Sequence, residues 1–334
     1  MIETELFAAG QGGYRRYRIP ALVAVNSGTI LAFCEGRRHT GRDDDEIDIL
    51  LRRSHDGGSS WEEPVVVVSD GDRTCGNPCP VVERDSGDVL LPFCVDNQRV
   101  FVTRSRDDGV TWESPAELTA GVKAEGHTYL GTGPGHGIQL RSGRLLIPSW
   151  ADLSPAPATW RDPPPNWGQV QLSFAIFSDD GGHSWDAGAP MEVDASDECG
   201  AVELEDGSLY MNMRSRGRRR QRASARSSDG GATWSPVEFH PELPEPSCQG
   251  SIASLDASHI LLCHPSSTEA RALLTVRLSS DGGHTWPAAR VLCPGAAAYS
   301  DLTVVEGGIL CAYEKDEHER LVVARFTRDW IAPA

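Results

Sequence analysis

The 334-residue sequence predicts an all-β fold, and three observations support that prediction. A short box with the pattern Ser-x-Asp-x-Gly-x-(Thr/Ser)-Trp occurs five times, beginning at Ser54, Ser105, Ser178, Ser227 and Ser279. Successive boxes begin 51, 73, 49 and 52 residues apart, a spacing typical of repeat architectures. Short apolar runs bounded by turn residues fill the intervals, as expected for β-strands rather than long helices.

Each repeat also contains a pair of apolar strands joined by a tight turn. In the first pair, residues 17–35 are divided by a turn at Ser27-Gly28. The turns of the later pairs fall at Ser86-Gly87, Ser142-Gly143, Asp206-Gly207, the segment before Ile260, and Gly307-Gly308. A third strand, a box and a fourth strand follow five of the six pairs, whereas the sixth ends with Leu321–Phe326 and has no box. Six such units predict a six-bladed β-propeller with Asp-box turns, closed into one domain over residues 1–334.

The boxes have a structural explanation. The central Asp can accept hydrogen bonds from nearby backbone N–H groups and so fix a turn, and the Gly permits a positive φ. The Trp supplies a large apolar surface that anchors the turn to the sheet beneath it. Because a catalytic residue is needed once rather than five times, we expect the five Asp residues to form turns and not a catalytic or metal site.

Composition excludes several classes of function. Lys and Arg total 31 and Asp and Glu total 48, a net charge of −17, which argues against nucleic acid and anionic membranes as partners. The nine cysteines are scattered and are expected to be buried free thiols. Cys75 and Cys79 form a close pair without the further ligands that zinc needs, so no metal is expected. With no signal-peptide pattern in residues 1–5 and no 18-residue apolar run, a cytoplasmic location is expected.

The longest interval between boxes contains a Pro-rich insertion at residues 154–165, with Trp150, Trp160 and Trp167 nearby. In a propeller such an insertion forms an extended loop on one face. It is either a surface excursion without a role or a loop that faces a ligand, and the sequence leaves both open.

Three arginines stand at the ends of predicted strands. Arg18 lies in Tyr17-Arg18-Ile19-Pro20, Arg214 closes a strand, and Arg271 precedes one. Equivalent strand ends of a propeller converge on one face, where three guanidinium groups would bind a carboxylate strongly and directionally. We expect the neighbouring run Arg216–Arg222 to form a solvated loop.

Further motifs make the chain resemble the sialidase (exo-α-neuraminidase) family over residues 10–326. The first segment, Tyr17-Arg18-Ile19-Pro20, is similar to that family's Phe/Tyr-Arg-Ile-Pro motif, and the boxes are similar to its Asp boxes. The other matching segments are Phe33-Cys34-Glu35-Gly36-Arg37, Asn77-Pro78-Cys79-Pro80, Gly133-Pro134-Gly135-His136, Cys248-Gln249-Gly250-Ser251 and Ala298-Tyr299-Ser300-Asp301-Leu302. Both bacterial and animal cytosolic members carry similar segments.

The resemblance implies a role for each matching residue. Arg18, Arg214 and Arg271 would grip the carboxylate of sialic acid. Tyr299 would be the nucleophile, and Glu203 the carboxylate that activates it. The acid/base would be Asp43, although the run of Asp residues leaves Asp44 as an alternative.

Supporting contacts follow from the same resemblance. Arg37, Asn77 and Gln249 would contact the sugar, and Glu35 would orient the arginines. Animal members carry Tyr-x-Tyr near the position where this chain has Trp150-Ala151-Asp152, which leaves the glycerol-chain contacts and the linkage preference open.

The implied activity is that of a retaining exo-α-sialidase that hydrolyses terminal α-linked sialic acids from glycans without a cofactor. Sialic acid carries a carboxylate on its anomeric carbon, which would repel an anionic nucleophile, whereas a tyrosine is neutral until a base removes its proton. The alternatives are a glycosidase for a related 2-keto sugar acid, a trans-sialidase, and a non-catalytic sialoglycan-binding propeller. The oligomeric state is not predicted.

Overall fold

The computed structural model of the protein describes residues 1–154, 170–193, 195–216 and 219–332. Apart from Ser154, the predicted Pro-rich insertion lies outside these residues. The described elements are 25 β-strands and two four-residue helices, α1 (Thr119–Val122) and α2 (Arg328–Ile331). The prediction of an all-β fold is confirmed. Neither helix has the length or the apolar character that a membrane span requires.

Four sheets follow one another along the chain, each made of antiparallel strands from one repeat. The first sheet contains β2 (Arg16–Ala24), β3 (Ile30–Arg37), β4 (Ile47–Ser54) and β5 (Val65–Val68). The second contains β6 (Cys75–Gly76), β7 (Val81–Val82), β8 (Val89–Val95), β9 (Arg99–Ser105) and β10 (Ala116–Glu117). The third contains β11 (Tyr129–Thr132), β12 (Ile138–Gln139), β13 (Leu145–Asp152), β14 (Gln171–Ser178) and β15 (Asp186–Ala187). The fourth contains β16 (Ser196–Glu203), β17 (Leu209–Ser215), β18 (Gln221–Ser227) and β19 (Glu238–Pro244).

The fifth sheet has seven strands and combines the last two repeats. Its strands are β20 (Ser251–Ser254), β21 (Ile260–Pro265), β22 (Ala272–Ser279), β23 (Ala288–Val305), β24 (Gly308–Lys315), β25 (Arg320–Phe326) and the N-terminal β1 (Ile2–Ala8). The long strand β23 pairs with β22 through its first half and with β24 from Ala297 onward. Five sheets are therefore found where six were expected, because β23 continues from one repeat into the next.

The last repeat is completed by the N-terminal strand. Strand β1 pairs with β25, with Ile2 opposite Arg325 and Ala8 opposite Arg320. This pairing explains why the sixth predicted unit has three strands and no box, since its fourth strand comes from the beginning of the chain.

The boxes form the expected turns. In the fourth box, Asp229 Oδ1 accepts hydrogen bonds from the Thr233 N–H (2.9 Å) and the Ser227 hydroxyl (2.7 Å). The Ser227 hydroxyl in turn accepts the Gly231 N–H at 2.9 Å, and Gly231 has a φ of +86°. Backbone at this φ favours glycine, which is the physical reason for the Gly of the pattern.

Each box also packs against the preceding sheet through one of its glycines. A methyl group added at Gly231 would lie 2.5 Å from the Leu146 side chain, and one added at Gly109 would lie 3.0 Å from Leu51. The first box has no preceding sheet in sequence, yet Gly58 approaches Leu310 of β24. The first and last sheets are therefore neighbours.

The core lies between the sheets. It consists of clusters of buried aliphatic and aromatic side chains from facing strands, including Leu22, Phe33, Phe174 and Leu262. All nine cysteines are buried free thiols, as predicted. The prediction of a solvated Arg216–Arg222 loop is wrong for two of its members, because Arg222 is fully buried and Arg216 pairs with the buried Asp197.

Candidate active site

The beginnings of β2, β11 and β16 and the ends of β3, β13 and β17 meet around a cavity of about 340 Å³. The predicted residues on its wall are Arg18, Glu35, Arg37, Asp43, Asn77, Arg214, Arg271 and Tyr299. Residues that the sequence did not single out also line it, namely Tyr129, Gln171, Asp197 and Glu198. Arg216, which was expected in a solvated loop, lines it as well. The convergence of strand ends expected for a propeller thus brings together side chains that are up to 281 residues apart in the chain, from Arg18 to Tyr299.

Arg18 is held by a buried carboxylate. Glu314 accepts bonds from Arg18 Nε (2.9 Å) and Nη2 (3.1 Å), a two-point contact that fixes the plane of the guanidinium. Glu314 Oε1 also accepts the Ile19 N–H at 3.0 Å. Ile19 has a φ of +56°, which is strained for a β-branched residue, and the bulge it creates in β2 directs Arg18 into the cavity.

Arg37 lies beside Arg18 and is likewise paired. Its Nε and Nη2 donate to Glu35 Oε2 at 2.9 and 2.6 Å, and its Nη1 donates to Asp43 Oδ1 at 2.6 Å. The other oxygen of Glu35 accepts the Asn77 N–H at 2.8 Å. Glu35 therefore orients Arg37 and Asn77, whereas Glu314 orients Arg18.

A short loop carries Asp43 to the rim of the cavity. Asp45 shapes this loop by accepting backbone N–H groups of four residues: His39, Thr40, Gly41 and Glu46. The Asp43 side chain is 74% exposed, with Oδ1 3.5 Å from Arg18 Nη1. Asp44 pairs instead with Arg42 at 3.2 Å and does not line this cavity.

Two guanidinium groups control the charge of Asp43. Protein atoms around the cavity rim displace some water and act to raise the pKa of this carboxyl, but the charges of Arg37 and Arg18 outweigh this effect and hold the pKa below its ordinary value. Asp43 is therefore ionised in the unliganded site.

Tyr299 lies in the middle of β23, at the floor of the cavity. Its hydroxyl donates to Glu198 Oε1 at 2.5 Å, and Arg214 Nη1 lies 3.3 Å from the same hydroxyl. Arg214 Nη1 also donates to Glu198 Oε2 at 2.7 Å. The guanidinium carbons of Arg18 and Arg271 lie 5.0 and 5.3 Å from the centre of the Tyr299 ring, so three arginines surround this tyrosine.

The surroundings of Tyr299 favour its neutral form. Burial raises the pKa of its hydroxyl well above 10, and the charge of Glu198 adds to the effect, although Arg214 and Arg271 oppose it. Tyr299 is a neutral donor to Glu198 in the unliganded site.

Arg271 differs from the other two arginines of the predicted triad. Arg18 is paired with Glu314 and Arg214 with Glu198, but no carboxylate of the described ranges lies within 4.0 Å of Arg271. A guanidinium that lines a cavity without a carboxylate partner is suited to binding an anionic group of a ligand.

A second wall of the cavity is aromatic. The Tyr129 and Trp150 rings lie 4.8 Å apart between centroids, and Gln171 lines the cavity near them. Farther along this wall, Asp197 pairs with Arg216 at 2.7 Å and is buried, which raises the pKa of Asp197 despite Arg214 and Arg216.

The prediction that Glu203 pairs with Tyr299 is wrong. Glu203 accepts the Arg141 N–H at 2.8 Å and lines a groove beside the fifth box, at the opposite end of β16 from the cavity. Glu203 lies five positions after Glu198 in the strand, a distance of about 17 Å along the backbone. Glu198, at the beginning of β16, is the carboxylate that contacts the tyrosine.

Gln249, predicted to contact the sugar, does not line the cavity. Gln249 is buried, and its amide nitrogen donates to the carbonyl oxygens of Pro134 (3.2 Å) and Ser300 (3.0 Å). Its amide oxygen accepts the Ser300 N–H at 3.0 Å. Gln249 therefore fixes the backbone of the residue after Tyr299, from behind the cavity.

A signal in the sequence distinguishes Glu198 from Glu203. Arg18 lies nine residues before the turn between β2 and β3, and Tyr299 lies eight residues before the turn between β23 and β24. Glu198 likewise lies eight residues before the turn between β16 and β17. Glu203 lies only three before that turn. The first strand of each hairpin runs from the cavity end of its sheet to the turn at the opposite end. The number of residues between a side chain and the turn therefore decides whether the side chain lies at the cavity end.

No set of three His, Cys, Asp or Glu side chains in the described part of the chain is arranged to hold a metal ion. The polar groups of the cavity are guanidinium, carboxylate, phenol and amide groups. Such a set can bind an anion and transfer protons.

Comparisons with known proteins were consistent with one another. The family described as BNR repeat-like domain matches residues 28–311. A sialidase of Micromonospora viridifaciens is 33% identical over 344 residues, which cover 92% of this chain and 50% of that protein. Sialidase-3 of Bos taurus is 31% identical over 389 residues, which cover 93% of this chain and 89% of that protein. The chain thus spans about half the length of its Micromonospora relative.

A similar fold has been solved. The structure of a Hadza microbial sialidase superposes with a TM-score of 0.88 at 27% sequence identity, covering 99% of this chain and 69% of that one.

Proposed function

This chain belongs to the sialidase family, and from that premise we propose that it is a retaining exo-α-sialidase that removes terminal α-linked sialic acids from glycans. The observation that carries the proposal is the contact between the Tyr299 hydroxyl and Glu198 (2.5 Å), surrounded by three arginines of which Arg271 has no carboxylate partner among the described residues. Cations around a buried phenol suit a substrate whose reacting carbon bears a carboxylate.

The architecture we propose is a six-bladed propeller, with one domain over residues 1–334. Six inner hairpins support this count, and the continuous strand β23 would belong to two blades. The packing of the first box against Leu310 and the pairing of β1 with β25 support closure of the ring.

In the first step, the substrate carboxylate binds to Arg18, Arg214 and Arg271. The Tyr299 oxygen attacks the anomeric carbon while Glu198 takes the phenolic proton. Because the resting tyrosine has a strongly raised pKa, proton transfer accompanies bond formation rather than preceding it. The bond to the leaving oxygen breaks, and Asp43 gives that oxygen its proton.

In the second step, water attacks the anomeric carbon of the sugar–tyrosine intermediate. Asp43 takes a proton from this water, the tyrosine oxygen departs, and Glu198 returns the proton to it. Two displacements at one carbon retain its configuration, and sialidases with a tyrosine nucleophile depart from the two-carboxylate scheme of most glycosidases.

Asp43 needs a proton before it can act as an acid, yet its pKa is lowered in the unliganded site. A bound substrate carboxylate would share Arg18 and add a negative charge nearby. Both changes raise the pKa of Asp43, so substrate binding itself would prepare the acid.

The primary test is release of a fluorogenic leaving group from an α-sialoside by the purified protein, between about pH 4 and pH 8. Turnover is expected, and NMR of the first product should detect the α-anomer. Binding of sialic acid without turnover would favour a sugar-binding propeller instead. Faster release from a deaminated sialoside, or transfer to added lactose, would assign the site to the related sugar acid or to transglycosylation.

The nucleophile is tested by Tyr299→Phe. This variant is expected to lose more than about 100-fold in kcat. A mechanism-based fluorinated sialosyl fluoride should add its sugar mass to the peptide that contains Tyr299, and a label on another residue would contradict the assignment.

A further inference from the structure

A buried ion pair lies directly behind the carboxylate-binding arginines. Arg222 and Glu245 are both fully buried, and Arg222 Nη1 lies 3.0 Å from Glu245 Oε2. Removing two charges from water is costly, and an apolar pair of similar volume is often as stable. Arg222 Nη2 even lacks a hydrogen-bond partner in the part of the chain that the structure describes. Stability alone is therefore a weak explanation for this pair.

The contacts of the pair lead to Arg214 from two sides. On one side, Glu245 Oε1 accepts hydrogen bonds from the backbone N–H (2.8 Å) and the hydroxyl (3.1 Å) of Ser215. These bonds fix the residue that follows Arg214. Arg222 Nε also donates to Asn212 Oδ1 at 2.8 Å, which fixes the strand just before Arg214.

On the other side, the pair holds the peptide groups of Cys248. Glu245 Oε2 accepts the Cys248 N–H at 3.2 Å, and Arg222 Nη1 donates to the Cys248 carbonyl at 2.7 Å. The preceding residue, Ser247, has a φ of +58°, a conformation that a serine adopts at a cost. The Ser247 hydroxyl accepts Arg214 Nε at 3.2 Å, so the held backbone presents an acceptor to this arginine.

The packing around Arg222 leaves it little freedom. A methyl group added at Gly250 would lie 3.2 Å from Arg222 Cζ and 2.9 Å from His264 Cβ. The absence of a side chain at Gly250 is thus what lets the guanidinium fit beneath this segment.

We propose that Arg222 and Glu245 are positioning residues for Arg214, and through it for the binding of a substrate carboxylate. The proposal rests on the sialidase function above. Arg222 lies at the end of the arginine-rich run Arg216–Arg222, which the sequence alone predicts to be a solvated loop. The structure gives it a role that the charge pattern alone does not indicate.

The test is a double-mutant cycle between the pair and Arg214. Arg222→Met/Glu245→Gln removes both charges but keeps an acceptor for the Ser215 N–H. With a fluorogenic α-sialoside, we expect KM to rise about tenfold, roughly 1.4 kcal/mol, and kcat to change less than about threefold. In an Arg214→Ala background the same pair change should alter KM less than about twofold, because the arginine it positions is absent.

Arg226→Met is the matched control. Arg226 lies on the same strand, but its Nη2 donates to the Gly282 carbonyl (2.7 Å) at the box face, so KM should not change. If the Arg222→Met/Glu245→Gln change raised KM equally in the wild-type and the Arg214→Ala proteins, the proposal would be overturned, since the rise would then reflect a general loss of structure. If the pair variant does not fold, Glu245→Gln alone is measured in both backgrounds with the same criterion.

Crystal structures separate this inference from the proposed function. Arg214 Nη1 and Glu198 Oε2 lie 2.7 Å apart in the wild type. In the pair variant this distance should increase. Absence of turnover by the wild type would refute the sialidase function but not this displacement. An unmoved Arg214 would refute the positioning role even in an active enzyme.

Discussion

Glu198 accepts a hydrogen bond of 2.5 Å from the hydroxyl of Tyr299, a residue 101 positions farther along the chain. The two side chains come from different sheets, Glu198 from β16 of the fourth sheet and Tyr299 from β23 of the fifth. Arg214 contacts both of them, so the phenol, the carboxylate and the guanidinium form one connected group.

The first prediction separates two glutamates of the same strand. Glu198→Gln cannot accept the proton of Tyr299, so we expect kcat on an α-sialoside to fall about 100- to 10,000-fold. Glu203→Gln is the matched control, because Glu203 bonds to Arg141 at the other end of β16, and its kcat should stay within about twofold of the wild type. A larger loss in Glu203→Gln than in Glu198→Gln would reverse the assignment.

The second prediction concerns proton uptake by Asp43. Its pKa is lowered in the free protein and should rise when a sugar acid occupies Arg18, so binding takes up a proton between the two pKa values. Affinity for sialic acid should therefore increase as the pH falls through the raised pKa of Asp43 in the complex. Calorimetry in buffers with different heats of ionisation measures the uptake directly. It should disappear in Asp43→Asn and persist in Asp44→Asn, and the opposite pattern would make Asp44 the acid.

The third prediction concerns the boxes. Asp229 accepts three hydrogen bonds within its turn, and bonds from Thr233 in particular lower its pKa to about 2. We expect Asp229→Ala to lower the free energy of unfolding by about 1 kcal/mol while the folded protein keeps its kcat. Because the folded pKa is depressed, this contribution is present above about pH 4 and is lost as the pH falls through about 2. Thermal unfolding and kinetics on one preparation check both parts. Lost turnover at an unchanged Tm would mean that the boxes have a catalytic role.

The fourth prediction concerns a partly buried pair formed by His136 and Asp301, two residues after Tyr299. His136 Nδ1 lies 2.9 Å from Asp301 Oδ1, and Asp301 Oδ2 accepts the Leu22 N–H, which joins the third, fifth and first sheets. Burial acts to lower the pKa of His136, but Asp301 outweighs burial and raises it above 6.5. The stabilisation is therefore fully present below about pH 6.5 and is lost as the pH rises through the raised pKa. Tm should fall between about pH 6 and pH 9 in the wild type and fall less in His136→Asn. Parallel curves for the two proteins would contradict this role of His136.

Much of the frame was predictable because it is encoded locally. A box specifies its own turn through residues at most seven apart, and the inner hairpins follow from apolar alternation and Gly-containing turns. The positions of Arg18, Arg37, Asp43, Asn77, Arg214, Arg271 and Tyr299 on one cavity follow from that frame, once the strand ends converge.

The structure differs from the prediction at side chains whose direction or depth depends on neighbouring sheets. Glu203 and Glu198 both lie on one strand, and the register and bulge of β16 decide which of them reaches the cavity. Gln249 has the polarity of a ligand contact, but the fifth sheet buries it against Ser300. Arg222 has the charge of a surface residue, but Glu245 and Cys248 enclose it.

The sequence by itself determined the all-β repeats, the box turns and the arginine and tyrosine candidates, because each depends on residues close together in the chain. The tertiary structure decided which carboxylate meets Tyr299, that β1 completes the last repeat, and that Arg222 lies behind Arg214. Those outcomes depend on contacts between residues that are remote in sequence, such as Ile2 and Arg325. Only the pairing of strands from distant parts of the chain, and the packing of one sheet against another, bring such residues together.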